Sequence, residues 1–230
     1  GGYQGRFRFL KNIMGLWMIQ SIRRELNGVS YVEGKDDSAS ETKPHETHTQ
    51  GASAPATDIA TKHYELEIEP MLEKGQVGFA DLIEVARAAE PFSTTINVND
   101  DRLLAPDSMI DEVCRACERS GQDVPRTIGE LMRCVYLSLA QCYAHSIADL
   151  EVLTGRTFTS LNVVGGGSQD GYLSELTTRA CGIPLYAGPT EGTALGNLMV
   201  QMLAAGESPA RAAIRKAVRH SFSIQEVLPC

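Results

Sequence analysis

The sequence LNVVGGGSQD, residues 161–170, predicts a strand that ends in three consecutive glycines and passes directly into a helix. Leu161, Val163 and Val164 suit a strand covered on both faces, and glycines can adopt backbone angles that are closed to other residues. A ligand can therefore lie against the backbone of this turn. The N–H groups at the start of the following helix carry a partial positive charge, which favours a nucleotide or its phosphates as the ligand.

The glycine turn is not specific by itself. Its third glycine falls one residue late for the dinucleotide-binding fingerprint (Gly165, Gly167, Gly171), and the sequence contains no GxxxxGK[ST] motif. A tight strand-to-helix turn without a ligand is an equally good interpretation of these residues alone. The neighbouring elements have to decide between the two.

The overall composition excludes several classes of protein. A net charge of −8 argues against nucleic acid and against an anionic membrane as general partners, and no apolar run is long enough to span a bilayer. Six scattered cysteines without a secretory signal predict a reduced, cytoplasmic protein. Cys114 and Cys117 form a CxxC, but no second pair accompanies them, so we interpret them as helix-face cysteines and predict no metal site.

The order of elements predicts an α/β domain. A long scaffold helix over residues 125–154 precedes the glycine turn, and a second buried strand at 183–187 leads into helices at 192–206 and 209–218. Further upstream we expect helices at 79–89 and 106–120 and a strand around Ile96 and Val98. Parallel strands joined by crossover helices follow from this order, and ligands bind such sheets at the carboxyl ends of the strands. This placement favours the nucleotide interpretation of the turn.

The first helix is predicted to begin at about Arg6 and to be buried on several sides. Asn12 and Gln20 would lie on one side of it, with Gly15 leaving a gap between them. They would either line a polar pocket or satisfy buried backbone groups, and the second is the commoner fate of a buried amide.

Residues 27–75 are rich in Ser, Thr, Ala, Gly and charge, and predict a solvated, disordered insertion. From Glu25 to Gly75 there are 11 acidic residues against four lysines, so most of the net negative charge is local. His45, His48 and His63 are interpreted as loop histidines. Downstream, Asp100 and Asp101 sit on a polar turn, where adjacent carboxylates are more often turn and capping groups than an acid/base pair.

Three segments together resemble the C-terminal domain of the FGGY carbohydrate kinases, and the rhamnulokinase group within that family. These are KNIMGLW (11–17), NVNDDRLLAP (97–106) and VVGGGSQ (163–169). The likeness covers nearly everything outside residues 27–75. It implies a ribonuclease H-like domain of the actin/hexokinase/sugar-kinase superfamily, incomplete at its N-terminus. The implied division is a first helix in 1–26, an insertion at 27–75, the remaining nucleotide-binding domain at 76–222 and a tail at 223–230.

The resemblance also implies a reaction and a set of site residues. Family members transfer the γ-phosphate of ATP, with Mg²⁺, to a hydroxyl of a ketose, here O1 of L-rhamnulose. Gly166 is similar to the glycine that meets the nucleotide, Gln20 to a glutamine of the ATP site, and Asn12 to an asparagine near the sugar. The rest of the nucleotide-facing wall would be formed by Gly165, Gly167, Ser168 and Gln169.

One departure from the family bears on activity. The family's catalytic base is the aspartate of a His-Asp-Thr motif in the N-terminal half, and no HDT occurs in these residues. We therefore expect the base and the N-terminal kinase domain to lie upstream, and this polypeptide alone to transfer no phosphate. Two alternatives stay open: another FGGY kinase acting on xylulose or glycerol, and a non-catalytic module that binds nucleotide.

Overall fold

The structure is a computed structural model that describes residues 9–29, 62–206 and 211–229. The chain forms two compact units. The central unit comprises Met14–Val135, and the C-terminal unit comprises Tyr136–Cys230 together with Gly1–Ile13.

The central unit is helical. It contains α1 (Trp17–Leu26), α2 (Phe79–Ala88), α3 (Met109–Arg119) and the first turns of α4 (Ile128–Thr154). The predicted helix at 79–89 is thus confirmed, and the one predicted at 125–154 forms but begins at Ile128. Apolar side chains at helical spacing meet in its core, which includes Met18, Ile19, Ile22, Leu82, Leu103, Val113 and Leu131.

The predicted start of the first helix is wrong. Helix α1 begins at Trp17, because Gly15 adopts a positive φ of 59° and a turn precedes the helix. Asn12 therefore lies before the helix and does not share a face with Gln20. Only Met18, Ile19 and Ile22 of α1 are buried, so the helix is not buried on several sides.

The end of the segment predicted as an insertion packs on the central unit. The backbone of Glu67 makes two hydrogen bonds to the residues around the start of α4. Glu67 N donates to Arg126 O at 2.8 Å, and Glu67 O accepts from Ile128 N at 3.0 Å. Tyr64 N donates to Asp111 Oδ1 of α3 at 2.8 Å, and Glu69 Oε1 accepts from Gly129 N of α4 at 2.6 Å. Residues 62–69 thus form an extended strap across two helices.

Of the three loop histidines, one lies within the described residues. His63 lies on the strap, where its exposed ring contacts Asp111 at 2.6 Å. His45 and His48 lie outside the described residues.

The predicted strand at Ile96 and Val98 does not form. Asn97 Oδ1 accepts from Asn99 N at 3.1 Å and Asn97 O accepts from Asp100 N at 3.1 Å, so the backbone turns here. Asp100 accepts from Arg102 N at 3.0 Å and pairs with its guanidinium, which confirms the capping interpretation. Helix α3 starts three residues later than expected, because Ser108 is its N-cap.

Cys114 and Cys117 lie on the buried face of α3, as the helix-face interpretation predicts. The Sγ of Cys117 is 3.8 Å from the Sγ of Cys134 on α4. Burial raises the pKa of the Cys114 thiol to about 12. Both thiols of the CxxC therefore belong to the apolar core.

The C-terminal unit holds the rest of α4 and a small sheet. Its elements are β1 (Leu161–Val163), α5 (Gly171–Cys181), β2 (Leu185–Ala187), α6 (Gly192–Ala204), α7 (Arg211–Ser221) and β3 (Gln225–Val227). Strands β1 and β2 are parallel, in the register Leu161 opposite Leu185, with α5 as their crossover, as predicted. Strand β3 was not predicted: it pairs antiparallel with β2, placing Leu185 opposite Val227 in what was expected to be a tail.

The expectation that β1 is covered on both faces is wrong. Val164, which follows the strand, is 48% exposed, and α6 contributes no buried residue to the described core. Within β1, Leu161 and Val163 are half-buried and Asn162 between them is exposed, so the face that carries Asn162 is open.

The N-terminus of α4 generates a stability prediction. A Cβ on Gly129 would lie 2.8 Å from Val85 O and 2.6 Å from Glu69 Oε1, so we expect Gly129→Ala to lower the free energy of unfolding by about 1–3 kcal/mol. Gly196→Ala on α6 is the matched control, because a Cβ there meets nothing within 4 Å. The control should be neutral or stabilising by up to about 1 kcal/mol. Equal urea unfolding curves for the two variants would contradict the contact.

Candidate functional site

The glycine run leaves β1 through a turn that only glycine suits at its first position. Gly165 has a φ of 81°, and residues Gly166–Gln169 form a single 3-10 turn. Ser168 closes it by donating to Gly165 O from both its backbone N, at 3.1 Å, and its Oγ, at 2.7 Å. The turn therefore has an internally fixed shape.

The outer side of the turn is open. Gly166 is exposed, and a Cβ added to it would meet nothing within 4 Å. Ser168 and Gln169 border a cavity of about 300 Å³ beside the turn. The remaining lining residues are Ala187, Gly188, Thr190, Ser223, Ile224 and Gln225. Backbone and uncharged side chains thus form a surface on which a planar ligand can lie.

Gly188 keeps two segments of this cavity wall close together. Its N–H continues the ladder to Val163 O at 2.8 Å, and a Cβ on it would lie 2.9 Å from Ser223 O. Its φ of 112° also favours glycine. The sequence signalled this position only as a Gly-Pro turn after a strand.

The start of α5 is not a free anion site. Asp170 is the N-cap, and its Oδ1 accepts from Leu173 N at 2.9 Å. Its other carboxylate oxygen accepts from Tyr136 Oη on α4 at 2.9 Å. The expected set of unpaired N–H groups is therefore corrected: a carboxylate already occupies the positive end of the helix, and a phosphate there would meet like charge.

The pKa of a second tyrosine on α4 is also affected by Asp170. Burial, and then the charges of Cys142 and Asp170, raise the pKa of Tyr143 to about 12. The sequence pattern predicted α4 only as a scaffold helix, so neither Tyr136 nor Tyr143 was identified as a neighbour of the turn. The one available signal was the position of Asp170 directly before Gly-Tyr-Leu, which is typical of an N-cap.

The other predicted site residues lie apart from the turn in sequence. Asn12 is exposed and follows Lys11, whose Nζ contacts Asp149 of α4 at 3.1 Å. Gln20 is half-buried on α1 in the central unit. Their roles at a kinase site therefore remain predictions from the resemblance. In the described ranges no group of three or more His, Cys, Asp or Glu side chains is arranged to hold a metal ion.

Comparison with known proteins now identifies the family. Residues 1–205 match the FGGY family of carbohydrate kinases, C-terminal domain. The chain belongs to this family. The match confirms the sugar-kinase fold expected from the sequence, and it includes the glycine turn, α5 and α6 of this FGGY domain.

Individual relatives extend the comparison. The chain is 35% identical over 228 residues to the rhamnulokinase of Ligilactobacillus salivarius and 33% identical over 228 residues to that of Bacillus subtilis. Each alignment covers 99% of this chain and 37% of the relative. A solved gluconate kinase from Lactobacillus acidophilus superposes with a TM-score of 0.45 at 12% identity, covering 70% of this chain and 32% of the other. Among the described helices of this FGGY domain, none is both long and apolar enough to cross a membrane.

The half-buried phenol of Tyr143 generates a pH prediction. Its pKa is raised from 10.0 to about 12 on folding, so above pH 10 the unfolded chain loses this proton and the folded chain keeps it. The stability contribution is complete below pH 10 and is lost as the pH rises towards 12. At pH 11 the loss is about 1 kcal/mol.

Tyr143→Phe should therefore reduce the alkaline loss of stability by about that amount. The measurement is urea unfolding of both proteins at pH 8 and pH 11, where the pH 8 pair corrects for any constant effect of the substitution. Parallel pH dependences would show that the phenol titrates alike in both states.

Proposed function

We propose that this chain is the ATP-binding C-terminal half of a rhamnulokinase, which transfers the γ-phosphate of ATP to O1 of L-rhamnulose. The observation that carries the proposal is the alignment of rhamnulokinases from two organisms over 99% of the chain. The chain spans 37% of the length of these relatives, so the activity belongs to the whole protein. A cytoplasmic location, predicted from the cysteine usage, is part of the proposal.

The glycine turn fits the nucleoside part of ATP. Gly166 is exposed with open space before it, and the cavity beside Ser168 and Gln169 is bordered by neutral groups. The carboxylate of Asp170 disfavours phosphates at the start of α5. The adenosine would therefore lie against Gly165, Gly166 and Gly167, with its phosphates directed away from α5.

Phosphoryl transfer depends mainly on positioning and charge neutralisation. The turn would position the nucleotide. The resemblance assigns Gln20 to the ATP and Asn12 to the ketose. Mg²⁺ would enter with the phosphates of ATP, which supply much of its coordination in such enzymes. The HDT aspartate is not among these 230 residues, so we expect the isolated chain to bind nucleotide weakly and to transfer no phosphate.

A coupled assay of ADP release tests the activity. The complete protein and the isolated chain are each given ATP, Mg²⁺ and L-rhamnulose, D-xylulose or glycerol. We expect turnover with L-rhamnulose in the complete protein only. Preferential turnover of xylulose or glycerol would assign another member of the family, and nucleotide binding without any turnover would support a non-catalytic module.

Gly166→Val in the complete protein tests the nucleotide wall. A valine side chain would occupy the open space beside the turn, so we expect the KM for ATP to rise about tenfold or more, corresponding to at least about 1.4 kcal/mol of lost binding. The fold should persist, because nothing lies within 4 Å of the added Cβ.

Gly196→Val is the matched control for this substitution. It places the same side chain at an exposed glycine of α6 that also has open space, in the same unit. The control should leave the KM for ATP unchanged. If Gly166→Val also leaves it unchanged while L-rhamnulose is turned over, the turn does not contact ATP.

A further inference from the structure

A buried tyrosine hydroxyl reaches the residue that ends the glycine turn. Tyr136 lies on α4 and is 0% exposed, and its Oη donates to Asp170 Oδ2 at 2.9 Å. The other carboxylate oxygen of Asp170 accepts from Leu173 N. One side chain therefore connects the exposed turn, the start of α5 and the buried face of α4.

The backbone of Asp170 is fixed on both sides. Its N–H donates to Gly167 O at 3.3 Å, which links it to the turn. Its carbonyl accepts from Ser174 N at 3.1 Å and from Ser174 Oγ at 2.9 Å, which links it to α5. A displacement of Asp170 is therefore transmitted directly to Gly167 and the 3-10 turn.

The position of the Tyr136 ring does not depend on its hydroxyl alone. The ring packs edge-on against the ring of Tyr172 on α5, with centroids 5.0 Å apart at an angle of 67°. Tyr172 is itself buried. Removal of the hydroxyl would thus leave this ring contact in place and release the carboxylate.

We propose that Tyr136 and Asp170 are positioning residues for the nucleotide site. They fix the position of the glycine turn relative to α4 without touching the nucleotide. The inference rests on the proposed function, because it assigns these residues to the ATP-binding turn. The phenol and Leu173 N each donate to one oxygen of the carboxylate, so the carboxylate cannot rotate without breaking its hydrogen bond to a buried hydroxyl. The turn is thereby kept in the conformation that receives the nucleotide.

The test uses the complete protein with Tyr136→Phe. Loss of one hydrogen bond that preorganises the turn should weaken ADP binding, measured by calorimetry, roughly three- to tenfold and raise the KM for ATP by a similar factor. The KM for the ketose and kcat at saturating ATP should stay close to wild type. A purely structural role would instead lower the melting temperature and leave both nucleotide constants unchanged.

Two further variants separate positioning from general damage. Asp170→Asn keeps an oxygen for Leu173 N and an amide for the phenol, so it should bind ADP close to wild type, whereas Asp170→Ala should weaken binding. In the Asp170→Ala background, Tyr136→Phe should weaken binding little further, because the phenol has already lost its bond to the carboxylate. Tyr186→Phe is the matched control, because it also removes a tyrosine hydroxyl bound to a carboxylate, that of Glu226 at 2.7 Å.

The outcomes separate a failure of the positioning role from a failure of the proposed function. If wild type binds ADP and Tyr136→Phe binds it equally well, the positioning role is overturned and the proposed function stands. Additive effects of Tyr136→Phe and Asp170→Ala would also overturn it. If the wild-type protein binds no ADP, the proposed function fails, and the positioning role fails with it.

Discussion

Asp170 meets three demands of the C-terminal unit at once. Helix α5 needs an acceptor for its first N–H groups, the buried phenol of Tyr136 needs a partner, and the glycine turn needs a fixed end. Oδ1 accepts from Leu173 N and Oδ2 accepts from Tyr136 Oη. The backbone N–H of Asp170 donates to Gly167 O of the turn. A glycine turn that Ser168 closes internally is thereby attached at its end to a helix cap.

Carboxylates also accept from N–H groups at helix starts in the central unit, and there they come from distant parts of the chain. Glu25 of α1 accepts from Met109 N at 3.0 Å and from Ile110 N at 3.3 Å at the start of α3. Glu69 of the strap accepts from Gly129 N at the start of α4. A carboxylate at a helix N-terminus is favourable both as an acceptor and through the helix dipole. These acidic side chains therefore act as tertiary contacts that fix one segment to the next helix.

The sequence predicted what local patterns determine. The period of apolar residues located α2 and α4, and Gly155, which takes a positive φ, marked the end of α4. Patterns of a few residues were less reliable. Ile96 and Val98 alternate like a strand, but the Asn97 side chain bonds to its own backbone neighbour and makes a turn. Strand β3 was missed because its three residues acquire their structure only by pairing with β2. For the candidate site, the sequence located the turn, whereas the long-range bond from Tyr136 to Asp170 has no local signal.

The capping of α5 also limits what the proposed site can bind. A turn followed by an uncapped helix offers N–H groups and a positive potential to phosphates. Here a carboxylate fills that position, and the turn presents glycine backbone, Ser168 and Gln169, which are neutral. Such a surface suits the ribose and base of a nucleotide better than its phosphates. In the proposed kinase, the charge of the transferred phosphoryl group must therefore be neutralised by Mg²⁺ and by residues outside this turn, so the turn contributes by holding the nucleoside in place.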